Sequence, residues 1–427
     1  LLSMLLDEKG LECLDELDGV YAFAYQKDGK LFLARDILGL KPVWYSHSNG
    51  FAFASEKKVL ESLGYLDVNE LNPREVFTYH VKEDKLEISK RKFFDILPEW
   101  EESKEELLPK LKETFLDALK KRIPDQRFGL LFSGGIDSTY LAYMLKKLKC
   151  DFTCYVCSLG DSEMKRSEDL VYARKIALTL GLDLVEVEVP LAEVEDCLKT
   201  IVPLIEDSNV VKVGVALTFF KACQRAKEDG CKVIFSGLGS EEIFAGYQRH
   251  KDCRNVNEEC VSGLLKMYER DLYRDDVITM YNGLELRVPF LDKKLVDFAL
   301  KIPERFKLVD GATKVILRDL AFKDGLMEEF AFRKKKAAQY GSNFHKALKK
   351  LSRRGGFARI SDYMYQFYPG RNVRLGALVS SGKDGIYAMS IMMKQNYQIG
   401  CMVCVKSENA DSYMFHTPAV ELVEKQA

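Results

Sequence analysis

The chain has 427 residues, which is long enough for two or three domains with hydrophobic cores of their own. Its 64 Lys and Arg residues balance its 65 Asp and Glu residues, so the net charge of −1 predicts neither a nucleic-acid nor a membrane partner. No apolar stretch reaches the roughly 18 to 20 residues that a membrane-spanning helix needs. The chain starts with a short apolar segment that lacks a basic leader, and we therefore expect a cytoplasmic protein.

Short strands are predicted throughout residues 1–95, the first of three regions. Turn sequences such as KDGK and SNG separate runs of aromatic and β-branched residues. An acidic stretch that contains a proline, residues 95–103, is the predicted linker to the next region. The strand-like runs lie at 21–26, 30–36, 42–46, 51–55, 75–80 and 85–90.

Strands and helices alternate in the second region, residues 104–357. Apolar runs at 128–132, 152–159, 184–189 and 231–236 are separated by helical patterns such as 167–181. This alternation predicts an α/β fold with a parallel sheet covered by helices on both faces. A charged, turn-rich stretch near 352–374 ends the region, and residues 375–427 hold one strand, loop, helix and strand followed by a tail.

The most informative motif is Ser133-Gly-Gly-Ile-Asp-Ser138, which lies between a predicted buried strand at 129–132 and a predicted helix at 139–147. The two glycines let the backbone approach a ligand, and the first amides of the helix favour negative charge. Asp137 would repel a bare phosphate, so we interpret it as a ligand for the Mg²⁺ that accompanies a polyphosphate. The motif predicts a nucleotide site, and the alternative is an ordinary strand-to-helix turn.

A second copy of this segment lies 247 positions further along the chain, at 378–404. We interpret the two copies as the opening of one nucleotide-binding fold, carried twice. Cysteine pairs at 154/157 and 401/404 follow the two loops, and a metal site is the alternative to buried strand cysteines. We favour strand cysteines because residues three apart in a strand point to opposite faces. The equivalent positions are Ser133 and Ser380, Gly135 and Gly382, Asp137 and Asp384, and Tyr140 and Tyr387.

The first loop resembles the pyrophosphate-binding loop of ATP pyrophosphatases, enzymes that activate a substrate by transferring AMP. It is not a Walker loop, because no Gly-Lys-Ser/Thr ending follows. Three further segments resemble successive motifs of glutamine-dependent asparagine synthetases, in that family's order. They are Val233–Tyr247, Gly283–Asp292 and Arg333–Gly341. The resemblance implies an adenine nucleotide α-hydrolase-like domain at residues 104–357.

The resemblance also implies the site residues. Asp137 and Glu241 would hold Mg²⁺ against the departing pyrophosphate, and Lys335 would neutralise charge on the phosphates as AMP is transferred. These three are the predicted catalytic residues, with Lys314 as a weaker candidate. The alternatives are a solvated face for the charge run 333–336 and a helix start capped by Ser240 for Glu241. The implied ATP-binding residues are Leu131 and Val156 beside adenine, Ser133, Gly134, Gly135, Asp137 and Ser138 at the phosphates, and Ser236 and Gly237 through their backbone.

Three features depart from the family pattern. Glu241 stands where the family usually has aspartate, and its extra methylene still allows coordination although octahedral Mg²⁺ is strict about geometry. Leu238 stands where asparagine synthetases often have glutamate and β-lactam-forming relatives have tyrosine, and leucine can neither move a proton nor accept a hydrogen bond. The stretch from Asp207 to Lys212 replaces the segment that would grip aspartate, and we predict Asp207 and Lys212 as substrate-binding residues.

The two ends of the chain resemble parts of other domains. Motifs in residues 1–95 resemble the second half of a class II glutaminase domain, whose nucleophile is an N-terminal cysteine. Because the chain begins with Leu1 and Cys13 lies in a helical stretch, we expect a truncated β-rich glutaminase domain that does not hydrolyse glutamine. Residues 375–427 resemble the start of diphthine-ammonia ligase, another ATP pyrophosphatase, and we expect a fragment of such a domain.

These features predict an ATP-dependent, amide-forming ligase that resembles asparagine synthetase and converts aspartate to asparagine through β-aspartyl-AMP. It would need ATP, Mg²⁺ and ammonia, either free or derived from glutamine, and a homodimer is left open. The first alternative is a related ligase with another carboxylate acceptor, as in β-lactam-forming or diphthine-amidating enzymes. The second is a non-catalytic nucleotide-binding relative. Leu238 favours both alternatives, whereas Asp137, Glu241 and Lys335 oppose the second.

Overall fold

The computed structural model describes residues 2–160, 166–334, 337–368, 374–380, 382–394 and 397–405. Within these ranges no helix combines the length and the apolar character that crossing a membrane requires. Lys335, which is predicted to be catalytic, lies outside the described residues, and so does the part 406–427 of the segment 375–427 that resembles the start of diphthine-ammonia ligase.

The first region is β-rich, as predicted. A four-stranded antiparallel sheet has the order β1-β2-β6-β7, and a three-stranded antiparallel sheet has the order β4-β3-β5. Leu33 and Phe77 of the first sheet pack with Val43 and Leu71 in a small core, which joins the two sheets. The elements are β1 (Ala22–Lys27), β2 (Lys30–Arg35), β3 (Trp44–Ser46), β4 (Ala52–Ala54), β5 (Asn69–Glu70), β6 (Glu75–His80) and β7 (Lys85–Lys90), with helices α1 (Leu2–Lys9) and α2 (Lys57–Ser62) and a 3-10 helix at Gly10–Asp15.

The second region contains a five-stranded sheet in which every pairing is parallel, and this confirms the predicted α/β fold. Its strands are β8 (Phe128–Leu131), β9 (Phe152–Gly160), β10 (Leu184–Pro190), β11 (Val233–Phe235) and β12 (Glu285–Arg287). Its helices are α3 (Lys104–Lys120), α4 (Ile136–Lys147), α5 (Glu168–Leu180), α6 (Leu191–Ile205), α7 (Val210–Glu228), α8 (Ser240–Ile243), α9 (Arg249–Asp252), α10 (Val256–Met267), α11 (Tyr273–Tyr281), α12 (Lys293–Leu300), α13 (Glu304–Lys307), α14 (Val315–Lys323), α15 (Glu328–Ala331), α16 (Ala338–Gly341), α17 (Phe344–Arg354) and α18 (Ile360–Tyr365), with a π-helix at Tyr268–Leu272 and a 3-10 helix at Pro289–Leu291.

The strand order β10-β9-β8-β11-β12 locates the place where a ligand would bind. The chain starts in the middle at β8, builds β9 and β10 to one side, and then returns to build β11 and β12 on the other side. The loops after β8 and β11 therefore leave neighbouring strands in opposite directions. In open parallel sheets the crevice at such a switch point is the usual ligand site.

The third region is the predicted strand-helix-strand unit, with β13 (Arg374–Leu378), α19 (Lys383–Lys394) and β14 (Gln398–Val403). β13 and β14 pair in parallel and form a sheet of two strands. The interpretation of the cysteine pairs as buried is correct for Cys154 and Cys157 but wrong for Cys401, which is exposed. The described part of the third region has two strands and one helix, which are too few layers to cover both faces of the sheet, whereas β9 lies between β10 and β8 in a sheet covered by helices.

A lysine is fully buried in the second region. Lys307 is 0 % exposed, and its ammonium donates a 2.6 Å hydrogen bond to Oδ1 of Asn257. Burial lowers the pKa of Lys307 to about 8. The usual value in an unfolded chain is about 10.4, so between these two pH values the unfolded chain binds more protons than the folded protein.

We therefore expect the Lys307 contribution to the free energy of unfolding to rise between pH 8 and pH 10.5, by at most about 3 kcal/mol. The measurement is urea unfolding of the wild type and Lys307→Met at pH 7 and pH 10. The stability of the wild type relative to the variant should increase with pH, since the variant has no group to titrate at this position. A constant or decreasing difference would contradict the prediction.

Candidate active site

The pyrophosphate-type loop joins β8 to α4 directly, as the motif predicts. The strand ends at Leu131, Gly135 precedes the helix, and Ile136 is the first helical residue. Gly134 has a φ of +66°, a conformation that side chains other than glycine rarely adopt. The amide of Ser133 donates a 3.3 Å hydrogen bond to Oγ of Ser138, which closes the loop over the first turn of the helix.

Arg333 stabilises this loop by hydrogen bonds to its backbone carbonyl oxygens. Its Nη1 donates hydrogen bonds to the carbonyl oxygens of Ser133, at 3.1 Å, and Gly134, at 2.7 Å. Nη2 lies 3.3 Å from Oδ1 of Asp169, and the guanidinium lies 3.9 Å from the ring centre of Tyr172. The alternative of a solvated face for the charge run at 333–336 is therefore wrong for Arg333, because its guanidinium is buried and both Nη atoms contact the carbonyls or the carboxylate.

The loop after β11 runs beside the first loop. A Cβ added to Gly237 would lie 2.8 Å from Cβ of Asp137, so the two loops approach more closely than any larger residue at 237 would allow. Gly239, and not Ser240, is the residue that precedes α8, and it makes no side-chain cap. The alternative of a helix start capped by Ser240 is therefore wrong. The hydroxyl of Ser240 faces the carboxylates of Asp137 and Glu241 instead.

Two carboxylates and one ammonium meet where the loops touch. Nζ of Lys314 lies 2.7 and 2.8 Å from the two carboxylate oxygens of Asp137 and contacts the carboxylate of Glu241. Lys314 is 4 % exposed and has a φ of +55° at the start of α14. Burial by itself lowers the pKa of Lys314, but the charges of Asp137 and Glu241 outweigh burial and raise the pKa above its ordinary value. The ammonium is therefore charged at neutral pH and holds the two carboxylates together.

A cleft of about 880 Å³ opens over this cluster. Gly134 and Asp207 do not line the cleft, and Lys335 lies outside the described residues. Asp207 lies behind Lys212 and forms a 2.9 Å ion pair with its ammonium. The predicted residues that line the cleft are Leu131, Ser133, Gly135, Asp137, Ser138, Val156, Lys212, Ser236, Gly237 and Glu241, and Lys314 and Leu238 line it as well.

The cleft also contains a second group of charged residues that the sequence motifs do not predict. Arg270 lies 2.7 Å from Glu242, and Arg274 lies 3.2 Å from Asp271. The hydroxyl of Tyr247 donates a 2.9 Å hydrogen bond to Glu242. Burial and the neighbouring Asp271 raise the pKa of Glu242 to about 7. All five side chains line the cleft.

A weak signal of this second group exists in the sequence. Arg270, Asp271, Arg274, Asp275 and Asp276 follow one another at helical spacing just before the Gly283–Asp292 motif. On a surface helix such charges are ordinary, and sequence spacing cannot distinguish that case from a buried one. In the structure, the π-helix at Tyr268–Leu272 is a further local indication of a functional site, because such turns often occur at functional sites.

Comparisons with known proteins match each region to a family model. The family model described as asparagine synthase matches residues 110–260 and 252–358, the glutamine amidotransferase domain matches residues 1–96, and the diphthamide synthase N-terminal domain matches residues 373–427. The putative asparagine synthetase [glutamine-hydrolyzing] 1 of Methanocaldococcus jannaschii is 33 % identical over an alignment of length 414, and the match covers 83 % of this chain and 75 % of that protein.

The asparagine synthetase [glutamine-hydrolyzing] of Rattus norvegicus is 32 % identical over 376 residues, which cover 79 % of this chain and 66 % of the rat protein. A solved structure of NMN synthetase from Francisella tularensis matches 60 % of this chain and 96 % of that chain, at 16 % identity and a TM-score of 0.27. That score is too low to support an inference about this chain.

Proposed function

The chain belongs to the asparagine synthase family of carbon–nitrogen ligases, and on that premise we propose that it converts aspartate to asparagine with ATP. A carboxylate oxygen of aspartate attacks the α-phosphorus of ATP, and the bond from this phosphorus to the bridging oxygen of pyrophosphate breaks. The products of this step are β-aspartyl-AMP and pyrophosphate. Ammonia then forms the carbon–nitrogen bond as AMP leaves, and the nitrogen loses a proton.

One observation carries the proposal, namely the convergence of Asp137, Glu241 and Lys314 between the loops that follow β8 and β11. Adenylation places negative charge on the departing pyrophosphate, and a site that stabilises it needs cations and backbone amides fixed in advance. The first loop and the start of α4 supply the backbone amides. Lys314 supplies one cation.

The residues present also fit Mg²⁺. No group of three or more His, Cys, Asp or Glu side chains in the described ranges is placed to hold a metal by itself. Asp137 and Glu241 provide two carboxylates from the first turns of α4 and α8, and Mg²⁺ characteristically takes one or two carboxylates together with water and the phosphates of a nucleotide. When bound, Mg²⁺ would neutralise charge on the pyrophosphate that leaves.

We assign binding roles to the other residues of the cleft. Leu131 ends β8, and Val156 lies in the adjacent strand β9 beside the partner of Leu131; both line the cleft and would flank adenine. The backbone of Ser236 and Gly237 would contact AMP. Lys212 would bind the carboxylate of the acceptor that does not react, while Asp207 fixes the position of its ammonium. Lys335 keeps the role that the family resemblance implies, which is to neutralise charge on the phosphates.

A cytoplasmic location and a homodimer stay predictions.

A second candidate is a related ligase that adenylates another carboxylate. Leu238 favours this candidate, because it lines the cleft in the loop that precedes α8 and its side chain has no polar atom. The group of Arg270, Arg274 and Glu242 would then select the acceptor through charge. A third candidate, a relative that binds nucleotide without turnover, is opposed by the paired carboxylates and ammonium.

The deciding experiment measures pyrophosphate release from ATP and Mg²⁺ with ammonium present and with aspartate, glutamate or other carboxylates added one at a time. We expect release to depend on aspartate, with asparagine as the product identified by mass spectrometry. Release that depends on another carboxylate would support the second candidate. Nucleotide binding without release in the presence of any carboxylate would support the third.

One ATP is expected to bind per chain, at the loop from Ser133 to Ser138. In the described part of the third region, the equivalent loop before α19 belongs to a sheet of two strands. A phosphate site needs a fixed turn, because ordering the backbone costs about 1 to 2 kcal/mol per residue. Calorimetric titration with a non-hydrolysable ATP analogue and Mg²⁺ should give a stoichiometry of one, and Asp384→Asn should leave the affinity unchanged. Two equivalent sites would contradict this prediction.

A further inference from the structure

Glu206 occupies an unusual position between α6 and α7. It has a φ of +55° and is 7 % exposed. Helices commonly end on a residue in this left-handed conformation, but glycine or asparagine usually takes the place. A buried glutamate in such a conformation costs backbone strain, and strain of this kind persists where the surrounding structure holds the residue for another reason.

The side chain of Glu206 connects three parts of the molecule. One carboxylate oxygen accepts a hydrogen bond from the backbone N–H of Lys58 in α2, and the other accepts a hydrogen bond from the hydroxyl of Tyr273 in α11. Nζ of Lys58 donates a 3.3 Å hydrogen bond to the carbonyl oxygen of Leu204. The ring of Tyr273 packs edge-on against Trp44 of β3, with 5.2 Å between the ring centres. The first region is therefore hydrogen-bonded to the end of α6 through Glu206.

The residues that follow Glu206 lead directly into the cleft. Oδ1 of Asp207 accepts a 2.8 Å hydrogen bond from the amide of Asn209, and its Oδ2 pairs with Lys212 at 2.9 Å. The side chain of Asn209 accepts a 2.9 Å hydrogen bond from the amide of Val211 and so caps α7. Asn209, Val211 and Lys212 all line the cleft, and so does Arg274, the neighbour of Tyr273 in the chain.

We infer that Glu206 is a positioning residue that fixes the acceptor side of the cleft by tying it to the β-rich first region. Loss of its carboxylate would release the turn at 206–209 from Lys58 and Tyr273 at once, and Lys212 would lose the fixed backbone on which its orientation depends. The pyrophosphate loop at 133–138 has its own support in Arg333, so it would stay in place. This inference rests on the proposed function only for the identity of the acceptor.

The test compares Glu206→Gly, Glu206→Gln and the matched control Lys149→Gly. Lys149 is exposed, lies just beyond α4 and has a φ of +57°, so glycine relieves the same kind of strain there without touching the cleft. In Glu206→Gly we expect the KM for aspartate to rise about tenfold, since small misplacements of binding groups have large effects. The KM for ATP and kcat should change by less than about twofold. Glu206→Gln keeps one acceptor oxygen and should give an intermediate KM, whereas Lys149→Gly should match the wild type.

Amide hydrogen exchange provides a readout that does not depend on the substrate. In Glu206→Gly the amides of residues 207–213 should exchange faster than in the wild type, while those of 133–138 should not change. Equal increases in the KM for ATP and for aspartate, or unchanged exchange at 207–213, would overturn the inference. If no carboxylate supports pyrophosphate release even in the wild type, the proposed function fails, and the exchange pattern still decides the role of Glu206.

Discussion

Replacement of Asp137 by asparagine is expected to slow pyrophosphate release about 10²- to 10³-fold, the usual loss when one fixed electrostatic contact to a transition state is removed. Asparagine keeps the shape of the side chain but lacks the charge that would hold Mg²⁺ and that now faces Lys314. The measurement is the rate of pyrophosphate release at saturating ATP and Mg²⁺, with the acceptor that supports turnover in the wild type.

The variant should still fold, but with lower stability. Lys314 is 4 % exposed, and when Asp137 is neutral it loses one of the two ion pairs that it forms among the described residues and keeps the one with Glu241. Loss of a hydrogen bond to a charged group typically costs about 1.5 to 3 kcal/mol, so a drop of several degrees in Tm is expected. Asp384→Asn is the matched control, since Asp384 holds the equivalent position of the second loop, and its rate should equal that of the wild type. A wild-type rate in Asp137→Asn would refute the assignment.

The sequence was sufficient to predict the parallel sheet and the loop at its centre. β8 and β9 are apolar runs of ordinary strand length, and β-strands buried on both faces have no other sequence signature. The glycines of the first loop mark a turn that only a strand-to-helix connection explains. The order of the strands could not be read from these runs, because it depends on which crossovers pack on which face of the sheet.

The supporting residues of the site were harder to predict. Lys314 is the weaker candidate in the sequence because it lies in a predicted helix, and its contact with Asp137 joins residues 177 positions apart in the chain. Arg333 belongs to a charge run, which on most proteins is solvated, and only the tertiary structure shows that its guanidinium faces the loop carbonyls. Local patterns predict elements and motifs, but they do not predict which buried charges will find partners across the core.

The second group of charged residues in the cleft was equally hard to predict from local patterns. Arg274 pairs with Asp275 at 2.7 Å and with Asp271 at 3.2 Å, and all three could equally have formed a surface helix with solvated ion pairs. Glu206 gave no signal at all, because the left-handed conformation at a helix end usually falls on glycine.

Lys314→Met is expected to reduce the rate of pyrophosphate release by about 10²- to 10³-fold as well. Without the ammonium, Asp137 and Glu241 lose the lysine that joins them, and the phosphates lose a fixed positive charge. Lys314→Arg should not restore the rate. A Cβ added to Gly246 would lie only 2.4 Å from Cε of Lys314, so the lysine stem already fills the space that a guanidinium would need.

Lys307→Met is the matched control for this prediction, because Lys307 is equally buried but binds Asn257 and does not line the cleft. Its substitution should alter stability and leave the rate of pyrophosphate release within about twofold of the wild type. A comparison with Lys335→Met then separates the two lysines. If Lys314→Met retains the wild-type rate while Lys335→Met loses it, the ammonium that acts on the phosphates comes from Lys335, and Lys314 only joins the carboxylates. If both variants lose the rate, each lysine contributes a charge that the other cannot replace.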